Sequence, residues 1–591
     1  MSRGGYSTSL PRTLRLSGKR ELAWPGVGAS GGSGTDDRLA TCRCYAQTEL
    51  GHGSNVAGLE TTATYNTDTQ SFTLQSPGLT SAKFWIGGLG RTADKAVVMA
   101  QLYTPDGKDG QLVHRGPHPF FVELRDPITR ELLPGRTIMD IGPKAGYAAT
   151  DNGFALFDQV QLPHISLFAR FSQVDKHTGA YTKPANQRLS YGTMVYIRAN
   201  IVQNARMVLA RSATIAIRYC AVRRQFADKD APVLDGNKPA ESQVLNYQLV
   251  QHRIFPPLVQ ALACHYTGRD MLRLYELNQA NLAKGDVSLL ADVHASSSGL
   301  KSLTTIMASN AIEECRRAMG GHGYSLAGGL ASFYADYLPQ VTWEGDSYML
   351  TQQLARYLFK TARTLIADPD AEMSIENRTS GYLKAYARRP DAKATIKFTG
   401  DLSSPAFFVD AFGHRAAHLV ATTLRKRDVQ KKSWNSLTSD MFRMSVAHSQ
   451  FVLVLNFATA LEHDAELRAR PALLRVMTTC FELFATYTMD QEAAEFLTSG
   501  YLAPAQHALV RERVLDLLAE IRPQAVSLVD AFAQPDFLLN SALGRYDGNV
   551  YEALVRFAQN EPLNEVTFNT RVDEDEVEVG PELGGWKAAK L

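Results

Sequence analysis

Residues 311–347 read AIEECRRAMGGHGYSLAGGLASFYADYLPQVTWEGDS. An amphipathic opening runs into Gly320-Gly321-His322-Gly323-Tyr324, and a second apolar segment ends at Thr342-Trp343-Glu344-Gly345. Paired glycines let another group approach a backbone without Cβ obstruction. Glu344 stands among Val341, Trp343 and Gly345, a neighbourhood poor in hydrogen-bond donors. A carboxylate desolvated there has a raised pKa, which suits a general base acting on a weakly acidic C–H. Spacing alone favours the plainer reading of a helix–turn–helix with one acidic loop residue.

Helical periodicity extends to both sides of this stretch. Ile201, Ala205, Val208, Ser212, Ile215, Tyr219 and Val222 recur three or four apart and predict a helix over Ile201–Arg224. Gln248–Leu277, Leu300–Ala318 and Ser347–Ala367 read the same way, and together they predict an antiparallel bundle over residues 190–367. Residues 368–400 are polar, carry Pro369 and Pro390, and read as a linker. A second bundle is expected over 401–563, from Phe412–Val429, Asp440–Ala465, Pro471–Tyr487 and Ala505–Phe532, the last broken at Pro523.

Upstream the period changes to two. Thr61–Tyr65, Ser71–Gln75, Val97–Tyr103, Phe120–Leu124 and Phe154–Phe157 are rich in β-branched and aromatic residues and are separated by turn formers. They predict an antiparallel barrel or sandwich over 41–165. Residues 1–40 include the run GVGASGGSGT, bury nothing by pattern, and read as disordered or atypical. The fold class is therefore α+β: a β-domain, then two helical bundles.

The chain has 591 residues, too many for one core. A formal charge of +2 leaves no electrostatic footprint for nucleic acid. The six scattered cysteines argue for a reducing compartment, and no ligand spacing for a metal is present. No stretch reads as long and apolar enough to span a bilayer; the best candidate, Phe451–Leu461, is short, has Asn456 in its middle and reads as a buried core helix. The tail 564–591 is read as flexible and ends in Ala589-Lys590-Leu591, a conservative variant of a peroxisomal address that an import receptor reads.

Two β-domain stretches offer ligand chemistry. Residues 45–55 (YAQTELGHGSN) combine hydroxyls, an amide and glycines, which suits a polar ring edge, although a structural turn explains the glycines equally well. In residues 80–93 (TSAKFWIGGLGRTA), aromatic side chains suit stacking on a planar cofactor and Gly87-Gly88 allow close approach; a strand ending in a glycine turn is the competing reading.

These two stretches, with GLETTATY (58–65), IGPKAGY (141–147), GGHGYS (320–325), TWEGDS (342–347) and LGRYDGNVYE (543–552), resemble in order the peroxisomal acyl-CoA oxidases of the acyl-CoA dehydrogenase superfamily. The resemblance implies FAD as cofactor, a homodimer, and oxidation of fatty acyl-CoA to trans-2-enoyl-CoA with molecular oxygen reduced to hydrogen peroxide in the peroxisome. It implies Glu344 as catalytic base and Thr48, Gly87, Arg223, Gln248 and Gly321 as cofactor contacts. Arg223 falls in Tyr219-x-x-x-Arg223-x-x-Phe226, which is similar to the superfamily's pyrophosphate-binding motif. Family members begin with a helical domain on the order of a hundred residues, a common domain length; the forty residues here do not resemble it. The alternatives are a dehydrogenase that hands electrons to a carrier protein and an inactive partner subunit.

Overall fold

The computed structural model describes residues 43–105, 110–170, 172–183, 192–227, 229–230, 240–371 and 381–565. The expectations for residues 1–40, for part of the 368–400 linker and for Ala589-Lys590-Leu591 lie outside them.

The sheet region contains β1 (Arg43–Ala46), β2 (Thr62–Asn66), β3 (Ser71–Gln75), β4 (Lys83–Gly87), β5 (Lys95–Pro105), β6 (Leu112–Glu123), β7 (Arg136–Asp140), β8 (Asn152–Phe157), β9 (Val160–Pro163), β10 (Gln173–Val174) and β11 (Tyr181–Thr182). The β2–β3 hairpin turns where expected: Asn66 Oδ1 accepts from the amides of Asp68 and Thr69 at 2.8 and 3.3 Å. Antiparallel pairing holds for β2–β3, β3–β9 and β5–β6, but β1 and β2 run parallel to β5. Side-chain alternation reports which face is buried and is blind to strand direction. A smaller sheet is ordered β4-β8-β7, and its inner face joins the larger sheet around Phe72, Phe120 and Phe157.

The helical region contains α1 (Gly192–Val222), α2 (Gln248–Ala283), α3 (Leu290–Ala318), α4 (Leu330–Tyr337), α5 (Ser347–Ala367), α6 (Gly381–Arg388), α7 (Pro405–Asp428), α8 (Thr438–His463), α9 (Ala465–Arg468), α10 (Pro471–Gln491), α11 (Ala493–Thr498), α12 (Pro504–Ile521), α13 (Ala525–Asp530), α14 (Asp536–Leu539) and α15 (Val550–Gln559). Prolines open α7, α10 and α12, where a missing N–H costs nothing. The break expected at Pro523 separates α12 from α13. Helix α6 lies inside the stretch read as linker; Tyr382 and Leu383 are buried on the core, and Tyr382 Oη pairs with His448 Nδ1 at 2.8 Å. One continuous apolar core runs from Val195 to Val550, joining both helical sets.

Residues 435–463, which include α8, are long and apolar enough to cross a membrane, contrary to expectation, yet most of that surface is buried against other helices. An arginine network crosses the second set: buried Arg415 donates to buried Glu495 Oε2 at 2.7 Å and to Gln450 at 2.6 Å, and the exposed Arg443 donates to Glu495 Oε1 at 2.7 Å.

Helix α1 is the ruler of the molecule. Near its start, Arg198 reaches the Glu344 backbone; midway, the Arg211 guanidinium stacks on Phe333 of α4; near its end, Tyr219 packs edge-on to His322. The stretch 322–344 therefore runs back along α1, from its C-terminal end to its N-terminal end. The chain's last helices are pinned to the same rod, with Arg218 donating to Asp530 at 2.9 Å and to the Gly544 carbonyl at 2.8 Å.

Candidate active site

Glu344 and Gly345 both have positive φ, 55° and 104°. At Gly345 this matters twice, because a Cβ would also press on Leu350 and Arg198. The loop is hung from two helices. From α1, Arg198 Nε donates to the Glu344 carbonyl at 2.9 Å; from α3, Lys301 Nζ donates to the Gly345 carbonyl at 2.7 Å. Ser302 Oγ donates to the Ser347 carbonyl at 2.7 Å, and Ser347 Oγ donates to the Val341 carbonyl at 2.8 Å. Asp346 then caps α5, accepting from the amides of Tyr348 and Met349.

These donors are spent on backbone carbonyls, so what reaches the Glu344 carboxyl is the charge of two cations on helices remote in sequence, Arg198 and Lys301. Burial pushes the Glu344 carboxyl up from its ordinary value, while the charges of Arg198 and Lys301 hold it back. The raised state is the net result, as a base for a weak carbon acid needs.

The β-domain closes on this loop. Tyr147 packs edge-on to Trp343, with ring centroids 5.3 Å apart, and its amide donates to Asp336 at 2.7 Å. At Gly146 any Cβ would overlap the Ala335 backbone, which accounts for the glycine in IGPKAGY. Tyr45 is more than half exposed, but its hydroxyl, desolvated on the side of Glu344 and facing that carboxylate, is pushed up to about 12.

Three residues beyond Tyr45, the carbonyl of Thr48 accepts from the Phe84 amide at 2.9 Å, so the Thr48 loop lies against β4. Here the structure adds a pair that the sequence reading passed over. Glu49 and Lys83 are both buried and meet at 2.8 Å. Glu49 also accepts from Thr61 Oγ1 at 2.6 Å and the Glu60 amide at 2.7 Å, while Lys83 donates to the carbonyls of Met99 and Gln47. Burial alone would raise the Glu49 carboxyl; Lys83 and these hydrogen bonds hold it below the usual range instead. The pair locks the Thr48 loop to β4. At the end of β4, Gly87 and Gly88 border open space, and the exposed indole of Trp85 stands on a left-handed backbone with φ 70°. An open, aromatic-edged ledge beside Thr48 fits a planar ring.

Arg223, Gln248 and Gly321 lie elsewhere. Arg223 follows the end of α1 and approaches the Tyr551 hydroxyl at 3.5 Å, a neutral partner brought there by the LGRYDGNVYE turn. Gln248 opens α2 and is exposed. Gly321 borders open space beside His322; the tight glycine of that turn is Gly323, where a Cβ would collide with the Arg316 carbonyl. From Arg198 to Arg223 is roughly 25 residues of helix, ~37 Å at the α-helical rise. Glu344, with Tyr45 of β1 facing it, therefore lies near one end of α1, and Arg223 and Gly321 lie near the other.

Comparison with known proteins identifies the family. The acyl-CoA oxidase C-alpha1 domain family matches residues 191–359, and the acyl-CoA oxidase family matches 404–574. Rat peroxisomal acyl-coenzyme A oxidase 1 is 40% identical over 530 residues, covering 88% of this chain and 77% of the relative. Its Arabidopsis thaliana counterpart is 38% identical over 535 residues, with 90% and 77% covered. Among solved structures, Arabidopsis thaliana acyl-CoA oxidase 1 superposes with a TM-score of 0.84 at 36% identity, covering 92% of this chain and 80% of that one. Acyl-CoA oxidase-1 of Caenorhabditis elegans, solved with FAD and ATP, gives 0.80 at 34% identity, with 90% and 76% covered.

Proposed function

The chain belongs to the acyl-CoA oxidase family, and on that premise we propose that Glu344 removes the α-proton of a fatty acyl-CoA thioester. The protein is a peroxisomal acyl-CoA oxidase of fatty acid β-oxidation. The observation that carries the assignment is the Glu344 carboxyl itself: raised by burial, fixed on a loop clamped to α1 and α3, and facing the strand that leads to Thr48.

Bound FAD would supply the acceptor for the β-hydride and, with molecular oxygen, the route to hydrogen peroxide. Thr48 and Gly87 would hold its ring, on the ledge beside Trp85. Arg223 would hold its pyrophosphate: among the described residues its guanidinium meets the neutral Tyr551 hydroxyl at 3.5 Å, with the Glu241 carboxylate acting only at longer range, and it suits a bidentate anion. Gln248 and Gly321 would border the same end. The chain's own part in the chemistry is to align the thioester, exclude water with Trp343 and Tyr147, and take one proton at the Glu344 carboxylate.

The separation along α1 supports a homodimer. The ~37 Å of helix between Arg198, at the Glu344 end, and Arg223 exceeds the reach of one dinucleotide, so Arg223 would serve the site of a second copy. Mixed dimers of Glu344→Gln and Arg223→Ala subunits test this. If the site is shared, one of the two sites in the mixed dimer is intact, and activity returns to about half of wild type. Absence of recovery in purified mixed dimers contradicts the shared site. Ala589-Lys590-Leu591 would be the segment that an import receptor reads.

A further inference from the structure

Lys301 sits in the middle of α3 with 0% exposure. Burying an ammonium group is costly, and a methionine of similar length would fill the same space. Its stem does not explain it; its head does. Nζ donates to the Gly345 carbonyl at 2.7 Å, one peptide beyond the carbonyl of Glu344 that Arg198 holds at 2.9 Å. The two cations thus grip consecutive carbonyls from two different helices. The peptides they grip are the two with left-handed backbone, at φ 55° and 104°. Such a conformation persists in a non-glycine residue only where its surroundings impose it. Lys301 is flanked by further loop anchors on the same helix, Ser302 to the Ser347 carbonyl and Thr305 to Ser347 Oγ at 3.2 Å.

We propose that Lys301 is the positioning residue of the proton-abstracting loop: its ammonium fixes the Gly345 carbonyl, holds Glu344 in its left-handed conformation, and sets the charge environment in which the carboxylate works. The inference rests on Glu344 being the base. Facing Glu344 are two cations, Arg198 from α1 and Lys301 from α3, and one neutral titratable group, the Tyr45 hydroxyl from β1. Those facing Lys301 are Arg198, Asp346 and Glu344. Burial lowers the Lys301 ammonium to about 8, so it is charged at neutral pH and draws the Glu344 carboxyl down.

The test uses the FAD-loaded enzyme with Lys301→Met and Lys301→Gln, the second retaining an amide donor without charge. In anaerobic stopped flow with a saturated acyl-CoA, flavin reduction near pH 7 should slow about ten- to a hundredfold in Lys301→Met, as a base displaced by ~1 Å would give. The acid limb of the rate profile should move up by about one pH unit in both variants, because a nearby cation is gone. Half-saturation for acyl-CoA should stay near the wild-type value. As a readout besides activity, chymotryptic cleavage after Trp343 in the FAD-loaded enzyme should accelerate in Lys301→Met and less so in Lys301→Gln. If Lys301→Met does not fold, Lys301→Gln carries both readouts. An unmoved acid limb with wild-type loop protection, alongside an inert Glu344→Gln enzyme, overturns the role of Lys301. Retained flavin reduction in Glu344→Gln overturns the base assignment instead.

Discussion

Replacing Glu344 with glutamine should leave the chain folded and able to hold FAD, while lowering the rate of flavin reduction by acyl-CoA about a thousandfold or more. The substitution keeps the shape of the side chain and removes only its ability to take a proton. The two clamps that shape the loop bond to backbone carbonyls, of Glu344 and Gly345, so they survive it. A loss of rate therefore reports proton abstraction and not collapse of the loop. The flavin spectrum and the melting temperature of the variant are the controls. Flavin reduction within tenfold of wild type would remove Glu344 from the mechanism.

The largest effect on stability is expected at Lys83. Lys83→Met leaves the Glu49 carboxylate buried without its cation, at a cost of about 3–5 kcal/mol. Thermal unfolding should shift down by on the order of 10 °C. The Thr48 loop loosens with it, and FAD is expected to dissociate more readily. Combining Lys83→Met with Glu49→Gln should recover much of the loss, because a neutral pair replaces a stranded charge. The pH dependence follows from the sign of the Glu49 shift. Its folded pKa is depressed, so its contribution is complete above the ordinary value of 4.5 and drains away as pH falls from there through the depressed value. Wild type should therefore lose stability more steeply below that point than the double variant. Equal acid sensitivity in the two would show that the pair is not the source.

Much of this was legible in the residues, for physical reasons that can be stated. Period-3.6 stripes locate the helices, and the expected Ser347–Ala367 coincides with α5, whose start is fixed by the Asp346 cap that the folded chain reveals. Period-two alternation found the strands around Thr61–Tyr65 and Ser71–Gln75. It missed β1, whose four residues are too few to show a period, and the parallel pairing to β5, which alternation does not encode. Helix α6 escaped because a polar, proline-flanked stretch hides two buried residues, Tyr382 and Leu383.

At the site, Glu344 was legible from its setting, but the cations beside it were not. Arg198 and Lys301 act on backbone carbonyls 146 and 44 positions away, and such contacts leave no trace in spacing. Lys83 stood in plain view within a quoted motif, yet only the folded chain reveals that Glu49 is its partner. The glycine turn carried a similar ambiguity: Gly323, not Gly321, is the position packed against its own chain.

The most direct test of the whole account is to purify the FAD-loaded protein, mix it with a saturated acyl-CoA without oxygen, and then admit air with no other electron acceptor present. The flavin absorbance should bleach, return on aeration, and yield one hydrogen peroxide and one trans-2-enoyl-CoA for each acyl-CoA consumed. A flavin that stays oxidised, or that is reduced but returns only when a carrier protein is supplied, would contradict it.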